Sequence, residues 1–175
     1  WKMTHSSLLP IEVDGQRQYV YCASLGVVGV AARDGALLWE TGDWKISIAT
    51  VPSPVAVDGG RLFLSGGYDA GSLMLQVGRD GGAWKAKTLF RLDPNVFGAT
   101  QQTPILYQGH VYGVRPDGRF TCLDLEGKVT RVSEPSQTFG LGSYLLADGL
   151  IYVLNDTGRL SLIEASPARF NALGQ

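Results

Sequence analysis

A seven-residue motif that returns four times constrains this chain more than any other feature. In LPIEVDG, SPVAVDG and TPILYQG a Pro stands five residues before a turn Gly, and in SYLLADG a Tyr takes its place. The glycines, Gly15, Gly59, Gly109 and Gly149, lie 44, 50 and 40 residues apart. A short apolar run follows each one: QYVYCAS, RLFLSGG, HVYGVRP and LIYVLND. A period of this length, filled only with strand signals, predicts the blades of a β-propeller. A β-sandwich also has many short strands, but it does not explain a four-strand pattern that recurs at a near-constant period.

Each repeat divides into four strands. The first repeat predicts strands over 8–13, 18–23, 27–32 and 36–40, with turns at Asp14-Gly15 and Asp34-Gly35. Such Asp-Gly pairs suit the positive φ angles of tight hairpins. The second repeat predicts 55–57, 61–64, 72–77 and 85–90; the third predicts 105–107, 111–114, 120–124 and 129–132. The fourth predicts 144–147, 151–154, 160–164 and a weak last strand near 170–173. The expected architecture is therefore all-β: four four-stranded antiparallel blades over about 4–44, 50–93, 98–134 and 139–175. No stretch carries a helical period.

Charge and composition exclude several functions. Net charge is −1 with no basic run, which gives a nucleic acid or an anionic membrane nothing to bind. No apolar stretch approaches the roughly 18 residues that span a bilayer. The chain starts at Trp1 and not at Met, so it reads as cut from something longer, and compartment stays open. Cys22 and Cys122 fall on strands of non-adjacent repeats, which predicts two free, buried thiols.

The third and fourth strands carry a family resemblance. VAARDGALLWE around Val30 and CLDLEGKVTRV around Cys122 resemble the A-x-D-x-x-T-G-K-x-x-W repeat of pyrroloquinoline-quinone-type propellers. Ala31, Asp34, Gly35 and Trp39 echo it in the first repeat. Leu123, Asp124, Gly127 and Lys128 echo it in the third, with Val132 at or near the Trp position. The second repeat keeps Gly81 and has Leu89 or Phe90 near that place. The resemblance implies that the Trp docks one blade on the next. It implies seven or eight blades in the whole ring, of which this chain supplies about half. Members include quinone-dependent dehydrogenases and the non-enzymatic outer-membrane assembly lipoprotein B group, so the resemblance implies a fold and, for compartment, a periplasmic or secreted setting. It does not carry chemistry across. The missing half is expected either from further blades of the same polypeptide or from a second copy in a homodimer.

Blade topology sorts the loops onto two faces. The lead-ins to the first strands share one face with the loops between second and third strands. On this first face lie His5, Ser6, Ser7, Thr50, Ser53, Gln101, Gln102, Thr103 and Ser143, with Tyr68, Asp69, Arg115, Asp117, Asn155 and Asp156 further out. From this set His5, Ser6, Ser7, Tyr68, Asp69, Gln101, Gln102, Arg115 and Asn155 are the candidate ligand- or partner-binding residues. A solvated rim whose side chains satisfy loop backbone is the competing reading.

Catalytic patterns are missing from the sequence. The two histidines, His5 and His110, fall on opposite faces, and neither has a Cys or second His at ligand spacing. The Asp-Gly turns lack the series of a calcium loop. There is no G-x-S-x-G elbow, and His5 beside Ser6-Ser7 is mere adjacency. The adjacent disulfide-bonded cysteines expected at a quinone site are also missing. No cofactor is therefore expected. The favoured function is a non-catalytic binding or scaffold propeller whose channel face meets a protein or a small polar ligand such as a sugar. The alternatives are part of a quinone-dependent dehydrogenase whose chemistry lies in other blades, and a purely structural repeat segment.

Overall fold

Sixteen strands form four separate antiparallel sheets, as the computed structural model shows for residues 1–174. Gln175, the last residue of the expected fourth blade, lies outside the described residues. Sheet one is β1 (Leu9–Val13), β2 (Gln16–Ala23), β3 (Gly26–Ala31) and β4 (Leu37–Thr41). Sheet two is β5 (Val55–Ala56), β6 (Arg61–Gly66), β7 (Gly71–Asp80) and β8 (Ala83–Leu92). Sheet three is β9 (Ile105–Tyr107), β10 (His110–Val114), β11 (Phe120–Asp124) and β12 (Val129–Val132). Sheet four is β13 (Tyr144–Ala147), β14 (Leu150–Leu154), β15 (Leu160–Glu164) and β16 (Ala172–Gly174). Each is a four-strand meander in chain order, the blade of a propeller. Among the described residues the one helical stretch is a 3-10 turn, Asp58–Gly60. No helix among them is long and apolar enough to cross a membrane.

Sheet two differs most from the sequence expectation. β7 and β8 each run to 10 residues, well past the expected ends. The reason is the turn between them, where Gly81 and Gly82 both take positive φ. That turn is tight enough to keep the strands paired down to Asp80↔Ala83.

The cores lie between sheets, not within them. The first joins Val20, Cys22 and Trp39 of sheet one to Leu62, Leu64, Leu73 and Leu75 of sheet two. The second joins Phe63 and Met74 of sheet two to Val111 and Leu123 of sheet three. The third joins Tyr112, Phe120 and Cys122 of sheet three to Ile151, Val153 and Ile163 of sheet four. Period-two alternation thus gives each inner blade two apolar faces, one for each neighbour. Both cysteines are buried and unpaired in these seams, and burial pushes the Cys22 thiol up to about 12.

One row across the sheets sets the docking. Every third strand is irregular against its fourth at the same place, after Gly29, Met74, Cys122 and Leu162. The residues opposite are Trp39, Phe90, Arg131 and Gly174. Trp39 is 3% exposed, and its Nε1 donates to Gln18 Oε1 at 2.7 Å. Its ring lies over Gly29, where a Cβ would meet the ring at 2.3 Å. Phe90 holds the place in sheet two. In sheet three the residue is Arg131, one position before the Val132 that sequence alignment suggested. The β11–β12 turn is one residue shorter than the β3–β4 turn, and a slip of one residue reverses the face.

Trp39→Ala leaves a ring-sized void in the first seam. It should cost about 3–5 kcal/mol in denaturant melts. A loss under about 1 kcal/mol, typical of a surface change, would show that the ring does not hold the two blades together.

Candidate functional site

The first face is assembled by hydrogen bonds that pass from blade to blade. Ser7, Ser53 and Thr103 each stand two residues before the row residue of a first strand. The Ser7 backbone N–H donates to Ser53 Oγ at 2.9 Å, and the Ser53 N–H donates to Thr103 Oγ1 at 2.9 Å. This relay ties the lead-ins of sheets one, two and three together. Ser143 holds the matching place in sheet four, but the link there is made by Gln102, whose Nε2 donates to Gly140 O at 3.1 Å and Gly142 O at 2.9 Å. The outer loops are tied in as well: the Leu141 N–H donates to Asp156 Oδ1 at 2.6 Å, and the Ser72 hydroxyl donates to Phe97 O at 3.1 Å.

The candidate residues divide by what their side chains do. Gln102 is buried and spent on the relay, with its Oε1 left without a partner. Ser6 is buried under the rim, where its hydroxyl donates to Ser7 O at 3.3 Å. Arg115 closes on Asp117 through Nε at 2.8 Å and Nη2 at 2.6 Å, and Arg119 Nε shares the same carboxylate at 2.8 Å. Asn155 organises its own turn: its Oδ1 accepts from the N–H groups of Thr157 at 3.0 Å and Arg159 at 2.8 Å. These side chains build the surface. His5, Ser7, Tyr68, Asp69 and Gln101 are exposed on it. Tyr68 and Asp69 form the tip of the β6–β7 turn in left-handed conformations, with φ of 55° and 61°, and both are exposed.

Sequence reading missed two things. Hydroxyl residues at the lead-ins were legible as polar, but their order as a relay depends on inter-blade register, which no local pattern encodes. It also named Thr50 on this face but passed over residues 45–49 before it, between β4 and β5. Trp44 and Ile46 fix that segment in the first seam, and Thr50 at its end is buried and accepts from the His5 N–H. Segment 45–50 forms one wall of a cavity of about 500 Å³ whose other wall is residues 2–5.

Chemically the face offers hydrogen-bond donors and acceptors and exposed aromatic surface. His110 sits at the far end of sheet three, its Nδ1 3.0 Å from Gln108 O, away from His5. Among the described residues no three His, Cys, Asp or Glu side chains are grouped to hold a metal ion. The buried single thiols on sheets one and three do not fit a quinone held on an adjacent disulfide.

Comparisons with known proteins agree with this architecture. The sequence profile of the family described as outer membrane protein assembly factor BamB matches residues 2–132. No curated protein matches the chain. Among solved structures, BamB from Moraxella catarrhalis superposes with a TM-score of 0.63 at 16% identity, over 97% of this chain and 52% of that one. The computationally designed protein Ika8 gives 0.62 at 12% identity, over 94% and 48%. AztD from Citrobacter koseri gives 0.52 at 11% identity, over 94% and 45%. The chain thus spans about half the length of the solved proteins it matches, and at these identities the likeness is one of fold.

Gln102→Ala removes the donor to two carbonyls and should cost about 1–3 kcal/mol. Gln101→Ala, next to it but exposed, should stay within about 0.5 kcal/mol. Equal losses in thermal or denaturant melts would show that the rim does not depend on the Gln102 bridge.

Proposed function

The chain belongs to the outer membrane protein assembly factor BamB family, and from that premise we propose that it is a non-catalytic binding propeller serving outer-membrane protein assembly. It meets a protein partner through the first face. One observation carries this reading: hydrogen bonds from Ser7 to Ser53 to Thr103 lock successive blades into a common rim, while His5, Tyr68, Asp69 and Gln101 stay exposed on it. A rigid platform with free polar and aromatic side chains binds with little ordering cost. The face is wide and its cavities are open, which suits a protein surface better than a small polar ligand such as a sugar. A periplasmic setting goes with this proposal.

The test is site-specific photocrosslinking in cells of the source organism. A photoreactive residue at Tyr68 or Gln101 should give discrete protein adducts, while one at Asp14 or Asp148 on the opposite face should not. Adducts of equal yield from both faces, or none from the first, would overturn the proposal.

The outward face of sheet four leaves Leu145, Leu154 and Leu160 exposed, on the side that a following blade covers elsewhere. We propose that in the isolated chain a second copy covers it, two halves closing eight blades about a two-fold axis. Light scattering should report the dimer. A stable monomer near 18.8 kDa would refute it.

A further inference from the structure

The groove between residues 2–5 and 45–50 is a concavity of about 500 Å³ on the first face. Its first wall hangs on the β2–β3 hairpin. The Ser24 N–H donates to Lys2 O at 3.2 Å, the Lys2 N–H to Ser24 Oγ at 2.9 Å, and the Thr4 N–H to the Tyr21 hydroxyl at 2.7 Å. Its second wall is pinned at both ends by buried Ile46 and Thr50. The walls meet where the His5 N–H donates to Thr50 O at 3.0 Å. The groove is therefore preformed.

Three properties of the lining point to one kind of occupant. Met3 and Ile48, one on each wall, are 91% and 71% exposed, so apolar surface faces the opening without cover. The lining includes Lys2 and Lys45 and no Asp or Glu, and among the described residues neither ammonium has a carboxylate within ion-pair distance. Among those residues, too, no hydrogen bond engages the backbone of Ser47, Ile48 or Ala49. An extended peptide supplies the complement to all three. Its backbone pairs with 47–49, its alternate apolar side chains cover Met3 and Ile48, and its carboxylates meet the lysines. Two lysines give an anionic bilayer only about 1 kcal/mol each, and a lipid surface supplies no backbone to pair with 47–49.

We infer that this groove captures an extended, acidic-apolar peptide segment of a protein partner. The inference rests on the first-face reading and assigns that face a specific docking position and ligand chemistry.

The test uses the 175-residue chain and a fluorescein-labelled decapeptide of alternating Val and Glu, followed by fluorescence anisotropy. The same peptide with Lys for Glu, and anionic phosphatidylglycerol vesicles, serve as the other arms. The acidic peptide should bind at least about tenfold tighter than the basic one and weaken as salt rises from about 50 to about 500 mM. Lys2→Glu with Lys45→Glu should weaken it about tenfold or more, and Ile48→Asp should do the same. Lys87→Glu with Lys128→Glu, an equal change of charge elsewhere, should leave it unchanged; circular dichroism verifies each fold. Equal binding of both peptides, equal loss in the two double variants, or binding to vesicles alone would overturn the inference. Crosslinks from Tyr68 and Gln101 without peptide binding would leave the first face standing and remove the groove. Peptide binding without those crosslinks would do the reverse.

Discussion

Packing of one sheet's face on the next is the interaction on which this structure depends. A four-stranded sheet with apolar residues on both sides has no way to bury them alone. Each of the three buried clusters is accordingly built from two successive sheets, and none lies inside a single one. The turns fix where each strand reverses. Only the seams make the sheets into a common body, and they place the first-strand lead-ins close enough for Ser7 to reach Ser53 and Ser53 to reach Thr103. The rim is a consequence of the seams.

The docking row shows how differently one position is filled. Trp39 in the first seam buries a large ring and satisfies its only polar atom on Gln18. Arg131 in the third seam is 7% exposed, and its planar head stacks over Tyr112 and Phe170 at 5.7 and 5.5 Å. The stacking does the covering work of an aromatic ring. The polar atoms fare worse: Nη2 reaches Glu164 O at 3.3 Å, while Nε and Nη1 have no partner. Burial pulls the guanidinium pKa down, and the charges of Cys122, Tyr112 and Glu164 only partly offset the lost water. The first seam has a neutral, hydrogen-bonded ring at its docking residue, and the third carries a desolvated charge there.

Much of this fold is legible in the chain because turn chemistry is local. Asp14-Gly15 and Asp148-Gly149 take the left-handed angles that Asp and Gly tolerate, and Gln108-Gly109 takes them with Gly109 as the permissive member, so hairpin positions follow from sequence. Blade count follows from their period. The identity of the docking residue in sheet three was not legible, because it turns on the one-residue difference between two β-turns and on an irregularity after Cys122. The rim residues were legible as a polar class and no further. Asn155 and Arg115 read as surface ligands in sequence, yet Asn155 spends its side chain two and four residues on and Arg115 two residues on.

That division has a physical basis that applies to the whole first face. Loop backbone must find partners, and short polar side chains at hand satisfy it first. A residue such as Asn155, which accepts from two nearby N–H groups, is therefore part of the wall. What remains for a partner is the group with no local claim on it. In this chain those are the exposed side chains of His5, Tyr68 and Gln101, and, beyond any side chain, the unengaged backbone of Ser47, Ile48 and Ala49 between two buried anchors. Segment 45–50 carries no motif. Its recognition surface arises because Trp44 and Ile46 are drawn into the seam and Thr50 is buried beside His5, leaving Ser47 and Ile48 exposed between them, so the same packing that docks the blades also presents the groove.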